Sequence, residues 1–342
     1  MSLEIRFPLN TIANRKIRAS LARCAAAIVL TFICSFAGMH PALSADWPTR
    51  PVTIVVPFPP GGNTDSMARI LAQKLSEKFG RNFVVENRPG ASGSIAMADV
   101  KRATPDGYTL VFGAFQQISV LPQTEKVNYD PKTDFSYVSI FGEGPFVLAV
   151  SSGVPAKSVT EFIAYGKSKP GAMTYASGGI LSGVHLVAAL FFKKAGVSLV
   201  HVPFRGGAPA VAALLGGQVQ AYFGNASELL PLAKDTRIRL LATSAPKRLP
   251  QLPSMPAMSE FYPGFALTSW NGLMAPAKTP QSIKDKLEAA TMEAARDPKV
   301  MKLLTNLGIT PVGSSSKDFN ARIAGESALL NEAIAAARSS AQ

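Results

Sequence analysis

The sequence is poor in the residues that most site chemistries need. In 342 residues it has two cysteines, Cys24 and Cys34, and three histidines, His40, His185 and His201. So few cysteines exclude a disulfide-dense scaffold and a multi-cysteine zinc centre. No pair of histidines with carboxylates has metal-ligand spacing. The two tryptophans, Trp47 and Trp270, are too few for an aromatic sugar platform, although Trp270 is a candidate to line a cleft. Runs of one charge are also missing. Lys and Arg never exceed two in a row, as in Lys101-Arg102, Lys193-Lys194 and Lys247-Arg248. Dispersed basic residues solvate a surface and bias its field toward small anions, but they do not make a nucleic-acid stripe. What is present is apolar material. With 47% hydrophobic and 17% charged residues the chain has ample substance for a core, which excludes a disordered protein.

The first 45 residues have a composition of their own. Arg6, Arg15, Lys16, Arg18 and Arg23 make a basic start opposed only by Glu4, and Cys24 to Gly38 then runs without a charge. Small residues follow at Ala42-Leu43-Ser44-Ala45. That order reads as a cleaved secretory signal, residues 1–45, giving an exported protein. The charge-free core is too short for a membrane-spanning helix of roughly 20 residues. Cleavage after Ser44 and after Ala45 both fit. Thr31-Phe32-Ile33 before Cys34 is not a lipoprotein pattern. Without the leader the chain has no cysteine, and 30 Lys+Arg against 21 Asp+Glu leave a charge of +9.

The remaining pattern alternates strand and helix. Strands are expected at Val52–Val56, Phe83–Glu86 and Tyr108–Phe112, with helices at Thr64–Phe79 and Ser94–Ala103. That βαβαβ order predicts a parallel sheet with helices on both faces. A second such unit starts at Phe146–Val150. It continues through helix Val159–Ser168, strand Met173–Ala176, helix Ser182–Lys194, strand Leu199–Phe204, helix Pro209–Leu215 and strands Val219–Phe223 and Ile238–Thr243. An extended Leu267–Ala275 and two Ala-rich helices, Ile283–Ala295 and Asp318–Ala337, close the chain. Two α/β units with a cleft between them follow from this order.

Three strand-to-helix loops share one physical character: Pro57–Asp65, Ala176–His185 and Val202–Pro209. Each is glycine-rich and each opens a helix. Glycine lets backbone approach a ligand, and a helix N-terminus offers unpaired N–H groups with about half a positive charge. Such ends bind carboxylate or phosphate, and in α/β sheets they lie where ligands bind. Gly61-Gly62-Asn63-Thr64-Asp65 matches neither phosphate-loop nor dinucleotide spacing, and Asp65 disfavours a dianion, so carboxylate is preferred. His185 at a helix start is read as a structural or ligand-bonding group, and His201 as a core residue. A secreted hydrolase using His185 with Ser177 or Ser182 stays as the alternative, without a nucleophile elbow to support it. Phe58 and Phe204 either cover a ligand's hydrocarbon part or pack.

These stretches resemble the periplasmic receptors of the tripartite tricarboxylate transporter system, the TctC or Bug family. The resemblance rests on Arg50-Pro51-Val52-Thr53-Ile54-Val55-Val56-Pro57-Phe58-Pro59-Pro60-Gly61-Gly62, Glu86-Asn87-Arg88-Pro89-Gly90, Pro105-Asp106-Gly107-Tyr108, Tyr175-Ala176-Ser177-Gly178-Gly179, His201-Val202-Pro203-Phe204-Arg205-Gly206 and Ser269-Trp270-Asn271-Gly272. It implies an α/β fold like the type II periplasmic binding proteins: two lobes around a ligand cleft with a hinge, lobe 1 being residues 46–146 plus 269–342 and lobe 2 residues 147–268. It implies a monomeric receptor, not an enzyme, for a di- or tricarboxylate or related organic acid, with membrane permease subunits as partners. Cofactor, metal and nucleic acid are not expected. The implied ligand contacts are Phe58, Gly61, Gly62, Thr64 and Asp65 in the first loop. In the second they are Ser177, Gly178, Ser182 and His185, and in the third Phe204, Gly206, Ala208 and Pro209. Gly224 is added where relatives commonly carry Asp. Phe115-Gln116-Gln117 also departs from the Ser/Thr-His common in relatives. With no carboxylate at position 224, a simple or aromatic acid is expected rather than an amino acid.

Overall fold

Residues 47–340 are described by the computed structural model, so the leader read above lies outside the described residues. Strand β1 (Val52–Val56) is β-branched throughout and buried except at Thr53. That is the signature of a strand covered on both faces. Helix α1 (Asn63–Phe79) turns Met67, Ala68, Leu71, Ala72 and Leu75 inward. Each of its larger side chains contributes roughly 1.5–3 kcal/mol by burial. The helix stops at Gly80, whose φ of 63° only glycine adopts readily. Strand β2 (Phe83–Asn87), helix α2 (Ser94–Arg102) and strand β3 (Thr109–Ala114) complete the first unit. Strand β1 pairs parallel with both β2 and β3.

A π-helical turn at Gln116–Val120 and the single turn α3 (Leu121–Thr124) lead to β4 (Phe135–Ser151). Then come α4 (Val159–Ser168), β5 (Thr174–Ser177), α5 (Gly183–Ala195), β6 (Val200–Pro203), α6 (Gly207–Leu215), β7 (Ala221–Asn225), α7 (Ala226–Leu229) and β8 (Ile238–Thr243). The chain closes through β9 (Thr268–Pro276), α8 (Gln281–Arg296), α9 (Pro298–Asn306), β10 (Thr310–Pro311) and α10 (Ser316–Ser340). The strand order is β2-β1-β3-β9-β4-β7-β5-β6, with β8 and β10 also paired to β4. The result is a mixed α/β fold.

Strand β4 joins the two halves. Phe135–Pro145 pairs antiparallel with β9, and from Phe146 the strand pairs instead with β7 and β8. The sequence pattern placed the start of this strand at Phe146, because Gly142, Gly144 and Pro145 interrupt the apolar run before it. Pro145 falls at the change of partners, where the ladder breaks in any case. The all-parallel expectation also fails at the centre, where β9 runs antiparallel to both β3 and β4. A third difference is α9, a helix not anticipated. Pro298 opens it, and the Asp297 carboxylate accepts from the Lys299 and Val300 N–H groups.

The second crossing between the halves is the chain from β8 to β9, and Ser244 ties it to the first. Its N–H donates to the Phe146 carbonyl at 2.8 Å. Its hydroxyl accepts from the Phe146 N–H at 2.9 Å and donates to the Leu267 carbonyl. Helix α10 packs along α5 and against β4. Arg322 reaches Glu143 of β4 at 3.0 Å and Thr268 of β9 at 2.7 Å.

Candidate functional site

The first loop is built around a buried carboxylate. Asp65 accepts from the Gly61 N–H (2.9 Å), Arg69 Nε (3.0 Å) and Asn87 Nδ2 (2.9 Å). Burial pushes its carboxyl up, but the hydrogen bonds from Arg69, the Gly61 amide and Asn87 outweigh that and hold it below the usual carboxylate range. Asn87 also donates to the Phe58 carbonyl at 3.1 Å. Asp65 is thus turned into the loop it shapes. Thr64 is turned inward as well, its hydroxyl donating to Asn271 Oδ1 at 2.7 Å. What faces outward is backbone. Gly61 and Gly62 are exposed, nothing lies within 4 Å of where a Cβ would stand on either, and no side chain caps the N-terminus of α1.

Helix α2 ends beside this loop in the same way. Its cap is Gly93 at φ 93°, again without a side-chain bond. A Cβ on Gly93 would meet Pro57 Cβ at 2.8 Å and Gln117 Nε2 at 2.7 Å, so glycine is what allows the first loop, the α2 end and the β3 exit to converge. Gln117 bonds the Ser92 carbonyl at 2.9 Å, and its neighbour Gln116 reaches the Leu181 carbonyl of the second loop at 3.4 Å. Phe115 packs where a Cβ on Gly183 would stand, 2.7 Å from its ring. The Phe115-Gln116-Gln117 segment therefore links the first loop to the second. In the sequence this segment stands out only as a departure from relatives, and nothing in its spacing marks it as part of the site.

The second and third loops touch directly. The Gly206 N–H donates to the Gly178 carbonyl (3.2 Å), the Phe204 N–H donates to the Ser177 carbonyl (2.9 Å), and a Cβ on Gly178 would lie 3.5 Å from the Gly206 backbone. Phe204 is half-buried, and Ala208 and Pro209 are exposed. The Ser182 hydroxyl caps α5 by accepting from the His185 N–H at 3.4 Å and donates to the Gly179 carbonyl at 2.7 Å. Ser177 is fully buried, its hydroxyl shared between the Gly179 backbone and His201 Nε2 at 2.7 Å. His185 is buried too. Its Nδ1 accepts from the Leu181 N–H at 3.0 Å, and its ring stacks on His201 with centroids 3.8 Å apart. Burial lowers both imidazoles, His185 to about 3, with His201 adding to the effect, and His201 to about 4. Leu181, at φ 57°, is held in a conformation that costs a bulky residue energy.

Gly224 stands apart from these surfaces. It is buried in β7, and a Cβ there would meet Tyr222 at 2.4 Å and Leu229 at 2.8 Å, so it answers to packing. The carboxylate of this region is Glu228, one turn later, which no spacing rule flagged. Trp270 is fully buried, with Nε1 3.0 Å from the Glu326 carboxylate. Among the described residues no group of three His, Cys, Asp or Glu is arranged to hold a metal ion, and no helix is long and apolar enough to cross a membrane. A groove of about 770 Å³ between α1 and α8 has paired charges, Lys74 with Asp297 and Lys78 with Glu293, both at 2.7 Å, and so offers an anion little.

Residues 67–338 match the family described as the tripartite tricarboxylate transporter family receptor. Protein BugT of Bordetella pertussis is 34% identical over 88% of this chain and 93% of its own. The structure titled R. palustris Rpa4515 with adipate shares 34% identity at a TM-score of 0.76, over 85% of this chain and 98% of that one. MatC from Rhodopseudomonas palustris with bound malate shares 30% at a TM-score of 0.71, over 84% and 100%. The fold matches these two structures across nearly their whole length. With that coverage added to the family match, the chain belongs to the receptors of the tripartite tricarboxylate transporter family.

Proposed function

We propose that this protein is a periplasmic receptor, exported by a leader of residues 1–45, that captures a small organic acid and hands it to a membrane permease without chemical turnover. The observation that carries the reading is the open space over Gly61 and Gly62 at the uncapped end of α1, beside the uncapped end of α2. A carboxylate placed there accepts several backbone N–H groups at once, and charge-assisted bonds of this kind are the strong ones. The adipate and malate of the two related structures are acids of this class. The ligand lies between lobe 1, residues 46–146 plus 269–342, and lobe 2, residues 147–268, and the monomer closes on it about Ser244. Gly61, Gly62, Gly178, Phe204, Gly206, Ala208 and Pro209 contact the acid. Thr64, Asp65, Ser177, Ser182 and His185 hold those segments in place, and Gly224 packs against Tyr222 and Leu229 behind them.

The 2.7 Å contact between Ser177 and His201 is the one feature that favours a hydrolase. An imidazole lowered to about 4 is a weak base for a serine proton near neutral pH, and this serine is fully buried.

A thermal-shift screen of organic acids tests the receptor reading. A ligand at a hundredfold excess over Kd stabilises by about 2.7 kcal/mol, a shift of several degrees. Gly62→Val has room for its side chain and an allowed φ of −84°. It keeps the fold and loses the shift. A variant that responds to the acid as the parent does would remove the first loop from the site.

A further inference from the structure

A side-chain carboxylate already stands at the N-terminal end of α6. Glu228 Oε2 accepts from the Tyr222 hydroxyl (2.8 Å) and the Asn225 N–H (3.3 Å), and Oε1 accepts from Asn225 Nδ2 (2.8 Å). A Cβ built on Gly207, the first residue of α6, would lie 2.3 Å from Oε1. The absence of a side chain there is what lets the carboxylate sit against the helix end. Strands β5, β6 and β7 run parallel or adjacent with their carboxyl ends on one side, so Asn225 and Glu228 emerge beside the second and third loops. Arg69 offsets the Asp65 charge at the end of α1, but the partners of Glu228 are neutral, and its full negative charge exceeds the roughly half charge of a helix N-terminus, so this corner is an acceptor rather than an anion site. Arg205, the cation of the same loop, is exposed and screened by water, whereas Glu228 is half-buried. A carboxylate has about four acceptor positions, and three are occupied here. The fourth belongs to Oε1, the oxygen over Gly207.

We infer that Glu228 selects an organic acid carrying a hydrogen-bond donor, a hydroxyl or an ammonium, and that the third loop receives that donor in place of a second carboxylate. The inference rests on the receptor reading above and restores, from the turn after β7, the carboxylate whose absence at Gly224 had pointed to a donor-free acid.

Titration calorimetry with succinate, malate and aspartate tests it, because these four-carbon dicarboxylates bear no donor, a hydroxyl and an ammonium in turn. The parent protein binds malate or aspartate at least tenfold more tightly than succinate, as a hydrogen bond to a charged group warrants. Glu228→Gln, and independently Gly207→Ala, which displaces the carboxylate, lower that ratio tenfold or more while still binding succinate. Unchanged ratios in either folded variant, or a parent that prefers succinate, overturn the inference and leave the receptor reading standing. A parent that binds none of the three acids while another organic acid raises its melting temperature overturns the inference and leaves the receptor reading standing, and a parent that answers to no organic acid in the screen counts against both.

Discussion

His185 and His201 are two neutral rings lying face to face at 3.8 Å, with Tyr175 beside the pair, 4.9 Å from His201 and 6.2 Å from His185. Their partners are suited to uncharged imidazole. The Leu181 amide donates to His185 Nδ1, and the Ser177 hydroxyl meets His201 Nε2. Adding a proton to either ring puts a charge into a buried stack, and burial lowers both pKa values, to about 3 and about 4. The unfolded chain takes up those protons near 6.5. Stability from this pair is therefore complete above pH 6.5 and is lost as pH falls toward 4. The loss is on the order of a few kcal/mol, since each pKa unit is worth about 1.4 kcal/mol. Urea unfolding at pH 7 and pH 4.5 measures it. The fall is smaller in a His185→Gln, His201→Asn double variant, and an equal fall in that variant would assign acid sensitivity to other groups.

At the scale of elements, much of the fold was legible. The β1 run Val52–Val56, the α4 span Val159–Ser168 and the β8 span Ile238–Thr243 coincide with their expected bounds, because each has one dominant periodicity and clear turn residues at its ends. What was hidden depends on distant chain. The first half of β4 carries glycines at 142 and 144 that local propensity disfavours, and it is a strand because β9 and β10 pair with it. The glycines serve close packing, as Ile309 and Met67 crowd position 142. What was legible of the candidate site is its loop geometry, with exposed glycine backbone at Gly61 and Gly62 ahead of a helix. The site was not legible where side chains turn inward, at Thr64 and Asp65, or where a residue acts across loops, at Gln116 and Glu228. Ser244 belongs to the hidden group. It looks like any turn serine in sequence, yet its hydroxyl joins both strand crossings. Ser244→Ala leaves the Phe146 N–H and the Leu267 carbonyl without this partner in a dry place, at about 1–3 kcal/mol. The melting temperature drops accordingly, and small-angle scattering shows a broader spread of lobe arrangements without ligand. Ser244→Thr, which keeps the hydroxyl, restores part of both. A variant identical to the parent in scattering would mean that the backbone ladder alone sets the hinge.

For the molecule as a whole, the tail helix connects the second loop to the two strand crossings. Helix α5 begins at the second loop, and α10 packs along it, with Lys194 bonded to Glu332 at 2.9 Å. Farther back, α10 presents Arg322 to Glu143 and Thr268, the residues flanking the two crossings, and to Glu326 at 3.2 Å. Glu326 is held by the Trp270 indole and the Ser119 hydroxyl as well. Burial nevertheless raises its carboxyl above the ordinary range, against the lowering from Trp270, Ser119 and Arg322. One guanidinium therefore compensates two carboxylates and fastens both crossing strands to the helix that carries the second loop's own helix on its side. Arg322→Met strands that charge. A fully buried pair broken this way costs about 3–5 kcal/mol, and the 32% exposure of the Arg322 side chain brings the expected loss nearer 2 kcal/mol. The sign of the pH dependence follows from Glu326. A carboxyl whose folded pKa is raised favours the folded state when protonated, and that contribution disappears as pH rises through its folded pKa. The gap between variant and parent is thus widest at pH 7 to 8 and narrows toward pH 5. Melting curves across that range decide the point, and a gap that stays constant would show that Arg322 stabilises by packing its stem rather than by neutralising Glu143 and Glu326.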